Sequence, residues 1–244
     1  MKSLKFWIFL LVAVTAGLFL FWQLSDFDAE LYLLVEPSPN FSFVKIDEPV
    51  VGVTPLPDQV NINVPFTSQA PFEIWDDIHK EACEEAAVLQ AASFWLGQDS
   101  LTKQEAEDQL QALVAFEIDK FGYFEDTDTL ETAQLILDYY DFKGVDVAYD
   151  FDIGQIKKEL ADGYPVIVPT AGRMLGNPYF QTPGPIYHML VVIGYEDNQF
   201  ITNDNGTKRG EQYRYDQEVL FEAIHDWNDG DIENGRKAMI VIRN

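Results

Sequence analysis

Residues 187–204 read Tyr187-His188-Met189-Leu190-Val191-Val192-Ile193-Gly194-Tyr195-Glu196-Asp197-Asn198-Gln199-Phe200-Ile201-Thr202-Asn203-Asp204. The run to Tyr195 is short, apolar and rich in β-branched residues, which predicts a buried strand. Glu196-Asp197-Asn198 carries turn chemistry, and Phe200–Asn203 returns as a second strand, so the stretch is an antiparallel hairpin. His188 stands at the mouth of the first strand. An imidazole buried there without a partner costs about 1–3 kcal/mol. A tight turn at Asp197-Asn198 sets His188 opposite roughly residues 203–208. A carboxylate or amide from that stretch therefore sits beside the ring. A one-residue slip reverses the face, which leaves both Asn203 and Asp204 open as that partner.

Working outward, the second half of the chain continues in strands. Val145–Tyr149, Pro165–Pro169 and Ala238–Ile242 read as strands, with helices at Ile153–Leu160 and Gln217–His225. The preceding part is helical, at about Cys83–Leu96, Lys103–Val114 and Leu130–Tyr140. Asn61–Val64 predicts a short strand, and Phe66–Pro71 a loop. Helices first and antiparallel strands second make an α+β domain, placed at residues 61–244. Residues 25–60 carry Pro37, Pro39, Pro49, Pro55 and Pro57 among acidic residues and read as a spacer with short extended segments.

Residues 1–24 differ in kind. From Phe6 to Trp22 the chain is uncharged and apolar, about the length that spans a bilayer core. Lys2 and Lys5 precede it, while Asp26, Asp28 and Glu30 follow. The positive-inside rule then puts residues 25–244 outside the cytoplasm, tethered by a single-pass signal-anchor helix. Bulky Phe19-Leu20-Phe21-Trp22 stands where a signal peptidase would need small residues, which disfavours a cleaved leader. Acidic residues number 41 against 16 basic, a formal charge of −25. That balance excludes nucleic acid as a partner, because phosphate recognition needs basic patches.

Cys83 is the only cysteine among 244 residues, so no internal disulfide exists. It opens a predicted helix, where the macrodipole favours thiolate over thiol. With His188 and Asp204 it completes a thiol–imidazole–carboxylate set: nucleophile, base and orienting group. Gln69, on the loop before the cysteine helix, can join the Cys83 backbone N–H as an oxyanion donor. Trp75 and Trp95 read as cleft wall or core. His79 and Cys83 share helical i, i+4 spacing, but zinc needs three or four clustered nitrogen or sulfur ligands, so no metal is expected. Asp226–Asp231 lacks the order of a calcium loop. Nothing in the chain implies a cofactor, and there is no G-x-x-x-x-G-K-[ST] phosphate loop.

Val64-Pro65-Phe66-Thr67-Ser68-Gln69, Trp75, the Cys83 helix, His188 with Leu190–Tyr195, and Asn203-Asp204 together resemble the C39-like branch of the papain-like cysteine peptidases. The resemblance covers about residues 61–244. It implies a papain-like fold, with helices packed on an antiparallel sheet. It also implies cleavage of peptide or amide bonds in a peptide or protein substrate, with catalysis by Gln69, Cys83, His188 and Asp204. Where that family commonly has Cys-Gly-Pro, this chain has Cys83-Glu84-Glu85, and two acids beside a thiolate oppose its formation. Two alternatives accompany the hydrolase. One is an inactive papain-like module that binds a peptide or cell-wall component. The other is an acyltransferase using the same acyl-enzyme.

Overall fold

The computed structural model describes residues 41–43 and 55–244. The expected anchor at 1–24 lies outside the described residues, as does most of the 25–60 spacer. Among the described residues no helix is long and apolar enough to cross a membrane.

The strands are β1 (Phe41–Phe43), β2 (Gln59–Asn61), β3 (Val145–Tyr149), β4 (Val166–Ala171), β5 (Tyr187–Glu196), β6 (Gln199–Asn203), β7 (Tyr213–Asp216) and β8 (Ala238–Ile242). The helices are α1 (Cys83–Trp95), α2 (Lys103–Phe121), α3 (Thr129–Tyr140), α4 (Ile153–Ala161) and α5 (Gln217–Ala223). One sheet runs in the order β1-β3-β8-β4-β5-β6-β7. Every pairing is antiparallel except β1 with β3, so a segment from the stretch expected to be spacer joins the sheet edge. β2 pairs with the end of β5 that β4 leaves free. It lies at 59–61, slightly earlier than the strand expected at 61–64. Val60 approaches so closely that a Cβ on Gly194 would meet its carbonyl oxygen at 2.1 Å, which is why β5 has glycine there.

Period-two alternation divides the sheet residues between two cores. Met189, Val191 and Ile193 of β5 face α1, α2 and α3 together with Ile167, Ile240 and Ile242. Leu190 and Val192 face the opposite side with Val166, Val168 and Val241, where α4 and α5 add Ile156, Leu160 and Leu220. Helices cover both faces, so β5 reads as an unbroken apolar run. The α+β architecture expected from the sequence is the one observed. α2 extends seven residues beyond the expected Val114, because buried Glu117 keeps its inner face in the interior for another turn.

The hairpin turns at Asp197, whose φ of 52° is left-handed. Its ladder slips by one residue between Val192 and Gly194, a bulge at Ile193. Beyond the bulge Val191 pairs with Asn203, where β6 ends.

Candidate active site

β5 delivers His188 and the residue after β6 delivers Asp204. His188 is held on its other side by β4, where Thr170 Oγ1 donates to the His188 carbonyl at 2.7 Å. Its Nε2 lies 2.9 Å from Asp204 Oδ1, and both residues are buried. Asp204 is enclosed by donors. The Gly206 backbone N–H also meets Oδ1, at 3.0 Å. Asn177 Nδ2 at 2.9 Å and the Tyr215 hydroxyl at 2.5 Å donate to Oδ2. Burial pushes the Asp204 carboxyl up, but the neighbouring His188 and the hydrogen bonds from His188, Tyr215 and Asn177 together hold it below its ordinary value.

Asn203, the other residue left open, goes elsewhere. Its Nδ2 donates to the Val64 carbonyl at 3.0 Å, and its Oδ1 accepts from the Gln212 backbone at 3.2 Å. Asn205 has a structural task that its sequence position did not disclose. Its Nδ2 donates to the carbonyls of Cys83 at 2.9 Å and Met189 at 3.0 Å. Its own carbonyl accepts from the Gln69 backbone at 2.9 Å. Asn205 therefore ties the start of α1 to β5 through its side-chain amide and to the loop of Gln69 through its backbone carbonyl. Gly206 keeps space for the imidazole: a Cβ there would lie 2.8 Å from Phe180 and 2.9 Å from His188 Cε1. Asn177 and Tyr215 were also missed. They come from a loop after β4 and from β7, distant in sequence, and only the fold brings them to Asp204.

Cys83 begins α1, and it lines the same cleft as His188, Gln69 and Trp75, a cavity of about 540 Å³. The thiol donates to Glu84 Oε2 at 3.1 Å. Burial pushes the Cys83 thiol well up, and the Glu84 and Glu85 carboxyls add to that; only the Met189 backbone N–H works the other way among the main causes. Desolvation and the two adjacent acids therefore oppose the thiolate that the helix start favours.

Gln69 reaches the cleft with its amide engaged. Nε2 donates to the carbonyls of His79 at 2.9 Å and Lys80 at 3.2 Å, and Oε1 is buried without a partner. Its two N–H groups therefore brace the segment leading into α1. His79 is held between Asp76 at 2.7 Å and Glu107 at 3.0 Å. Trp75 is 42% exposed on the cleft wall, while Trp95 packs edge-on to Phe94 at the border of the core. Among the described residues no three His, Cys, Asp or Glu side chains are grouped to hold a metal ion.

No curated protein matches the chain. Among solved structures it is similar to a protein described as a C39-like peptidase from Bacillus anthracis, with 17% identity, 77% of this chain and 99% of that chain covered, and a TM-score of 0.49. Digestive procathepsin L 3 of Tenebrio molitor larval midgut matches at 13% identity over 80% of this chain and 72% of that one, with a TM-score of 0.39. Xylellain, a cysteine protease from Xylella fastidiosa, matches at 15% identity over 78% of this chain and 87% of that one, also with a TM-score of 0.39. The model of the Peptidase_C39 like family matches residues 61–229. That range takes in the Gln69 loop, the Cys83 helix, the His188 strand and Asp204, and the chain belongs to the Peptidase_C39 like family.

Proposed function

We propose that this protein is a thiol hydrolase acting on peptide or amide bonds, with Cys83 as nucleophile, His188 as base and Asp204 as the group that orients His188. The observation that carries the reading is the buried 2.9 Å contact between His188 Nε2 and Asp204 Oδ1, in a cleft that Cys83 also lines. With Nε2 committed to Asp204, proton exchange with the thiol falls to Nδ1. The thiol proton passes to Nδ1 as sulfur attacks the carbonyl carbon. The leaving amine takes that proton, and water then cleaves the thioester. Gln69 serves as oxyanion donor, with the Cys83 backbone N–H, once the substrate draws one of its N–H groups off the His79 or Lys80 carbonyl. Peptide or protein is the substrate class that family membership supports. On sequence alone, the apolar run Phe6–Trp22 tethers the domain outside the cytoplasm. Digestion of intact cells with an external protease would leave the domain untouched if that placement is wrong.

Cys83→Ala abolishes turnover of a peptide substrate and labelling by a thiol-directed acyl probe; turnover that survives the substitution refutes the reading. His188→Ala slows alkylation of Cys83 at neutral pH by about tenfold or more, since thiolate formation then lacks its proton acceptor. A second reading, an inactive module that binds peptide, is favoured by one observation, the thiol donating to Glu84 instead of to an imidazole. Under that reading His188→Ala leaves the alkylation rate unchanged.

A further inference from the structure

The two acids after Cys83 are not on a solvated face. Glu84 is 1% exposed and Glu85 0%, and α2 places Glu117, also 0% exposed, against them. Glu84 Oε1 and all four oxygens of Glu85 and Glu117 meet no N–H or O–H donor. The carboxyls of Glu85 and Glu117 act directly on each other. Ionised carboxylates are acceptors only, so two carboxyls buried together with no other donor favour one of them carrying a proton. The titratable groups that face the three acids are Cys83 on α1, Tyr123, Glu125 and Asp126 between α2 and α3, Glu131 on α3 and Tyr187 on β5. All are acids, a thiol or phenols. Among the described residues no lysine, arginine or histidine is ion-paired with the trio. Burial pushes all three carboxyls up; the Glu85 charge adds to this at Glu84 and Glu117, whereas at Glu85 itself Glu125 adds to it and the contact with Glu117 works the other way.

We propose that Glu84 is a further catalytic residue, a proton-operated switch on Cys83 whose setting is held by the Glu85–Glu117 pair. The proposal rests on Cys83 being the nucleophile of the hydrolase. Glu84 touches the reacting sulfur at 3.1 Å, and its protonation decides what that contact does. Protonated, Glu84 donates its O–H to a thiolate. The S–H bond then breaks, its proton joins His188 Nδ1, and the sulfur anion keeps a hydrogen bond from a neutral neighbour. Ionised, Glu84 accepts the S–H, and a thiolate would face a buried anion. The charge that Glu85 carries beside Glu84 keeps Glu84 protonated to higher pH. The thiol is therefore reactive while Glu84 stays protonated, above the ordinary carboxylate range, and silenced once Glu84 ionises. An ordinary free thiol behaves in the opposite way, gaining reactivity as pH rises towards its pKa of about 8.5.

Because Cys83 is the only cysteine, iodoacetamide alkylation of the full chain reads this one atom. Between about pH 5 and about pH 9, the wild-type rate is expected to fall at least about fivefold as Glu84 ionises. Glu84→Gln keeps an N–H donor on the sulfur at every pH; the fall disappears, and at about pH 8.5 the variant reacts about tenfold faster than wild type. Glu85→Gln removes a charge beside Glu84, and the fall moves to lower pH by about one unit. The wild-type profile and Glu85→Gln decide the matter even if Glu84→Gln does not fold. A wild-type rate that climbs smoothly with pH, or a Glu85→Gln profile superimposable on wild type, overturns the proposal. His188→Ala reports on the hydrolase separately. If it leaves the rate unchanged while Glu84→Gln abolishes the fall, Glu84 controls the thiol and the thiol–imidazole pair is what fails.

Discussion

Asp204 is a carboxylate with no water to rely on, and four donors replace the water: the His188 ring, the Gly206 N–H, Asn177 and Tyr215. A side chain this constrained fixes the imidazole plane, so in the proposed hydrolase small intrusions near the ring cost turnover before they cost stability. Gly206→Ala tests this. The added methyl meets Phe180 at 2.8 Å and His188 Cε1 at 2.9 Å, and the imidazole must move to admit it. We expect turnover to fall by about tenfold to a hundredfold while the melting temperature drops by only a few degrees; normal turnover in a folded Gly206→Ala would mean that the ring position does not limit the reaction. At this scale the sequence made the pairing of residues 188 and 204 legible, because turn chemistry at Asp197-Asn198 sets an approximate register. It left Asn203 and Asp204 undivided. The bulge at Ile193 shifts the ladder by one residue, and nothing in Val192-Ile193-Gly194 announces it before β2 is placed against Gly194. The burial of Glu84 and Glu85 was equally hidden, since acids in a first helical turn ordinarily face water and the macrodipole.

The reason for that burial lies at the scale of the element. α1 is enclosed on all sides: every residue from Cys83 to Ser93 is buried, polar ones included. Helices of this kind have no polar face to display, so periodicity reveals that α1 is a helix but not which side carries the chemistry. Its position relative to β5 is set by Asn205, which holds the Cys83 and Met189 carbonyls with one amide group. Asn205→Ala removes both bonds and leaves two buried carbonyls short of a partner. We expect a loss of about 1–3 kcal/mol in urea unfolding. A thiol-directed acyl probe should also react more slowly, because the helix start is no longer tied to β5. An unchanged urea midpoint would show that the helix is positioned by apolar packing alone. Strand and helix existence was largely legible at this scale, with β3 and β8 falling where the pattern put them. α2 ran past its expected end because the residue that keeps its face buried is Glu117, an acid that a hydrophobic pattern does not count.

At the scale of the whole molecule, the charge balance and the buried acids act in different pH ranges. The formal charge of −25 comes from 41 acidic against 16 basic residues, and repulsion among charges exposed to water is screened by salt. Glu84, Glu85 and Glu117 are different. Their carboxyls are raised in the fold, so the native state binds more protons than the unfolded chain over the interval between the ordinary carboxylate value and the raised ones. Stability must then fall as pH rises through that interval. Asp204 works in the opposite sense at the acid end: its carboxyl is lowered, and the stability it contributes is lost as pH falls below the ordinary carboxylate range. A maximum near pH 5 follows, with a loss on the order of a few kcal/mol by about pH 8.5. Thermal melts across that interval should show the decline, and should show it still in about 0.5 M salt, where repulsion between exposed charges is largely screened. Glu117→Gln should flatten the alkaline side, because it removes one buried acid from the group that must ionise. A melting temperature that stays level from pH 5 to 8.5 would mean that the three acids ionise as readily in the fold as in the unfolded chain.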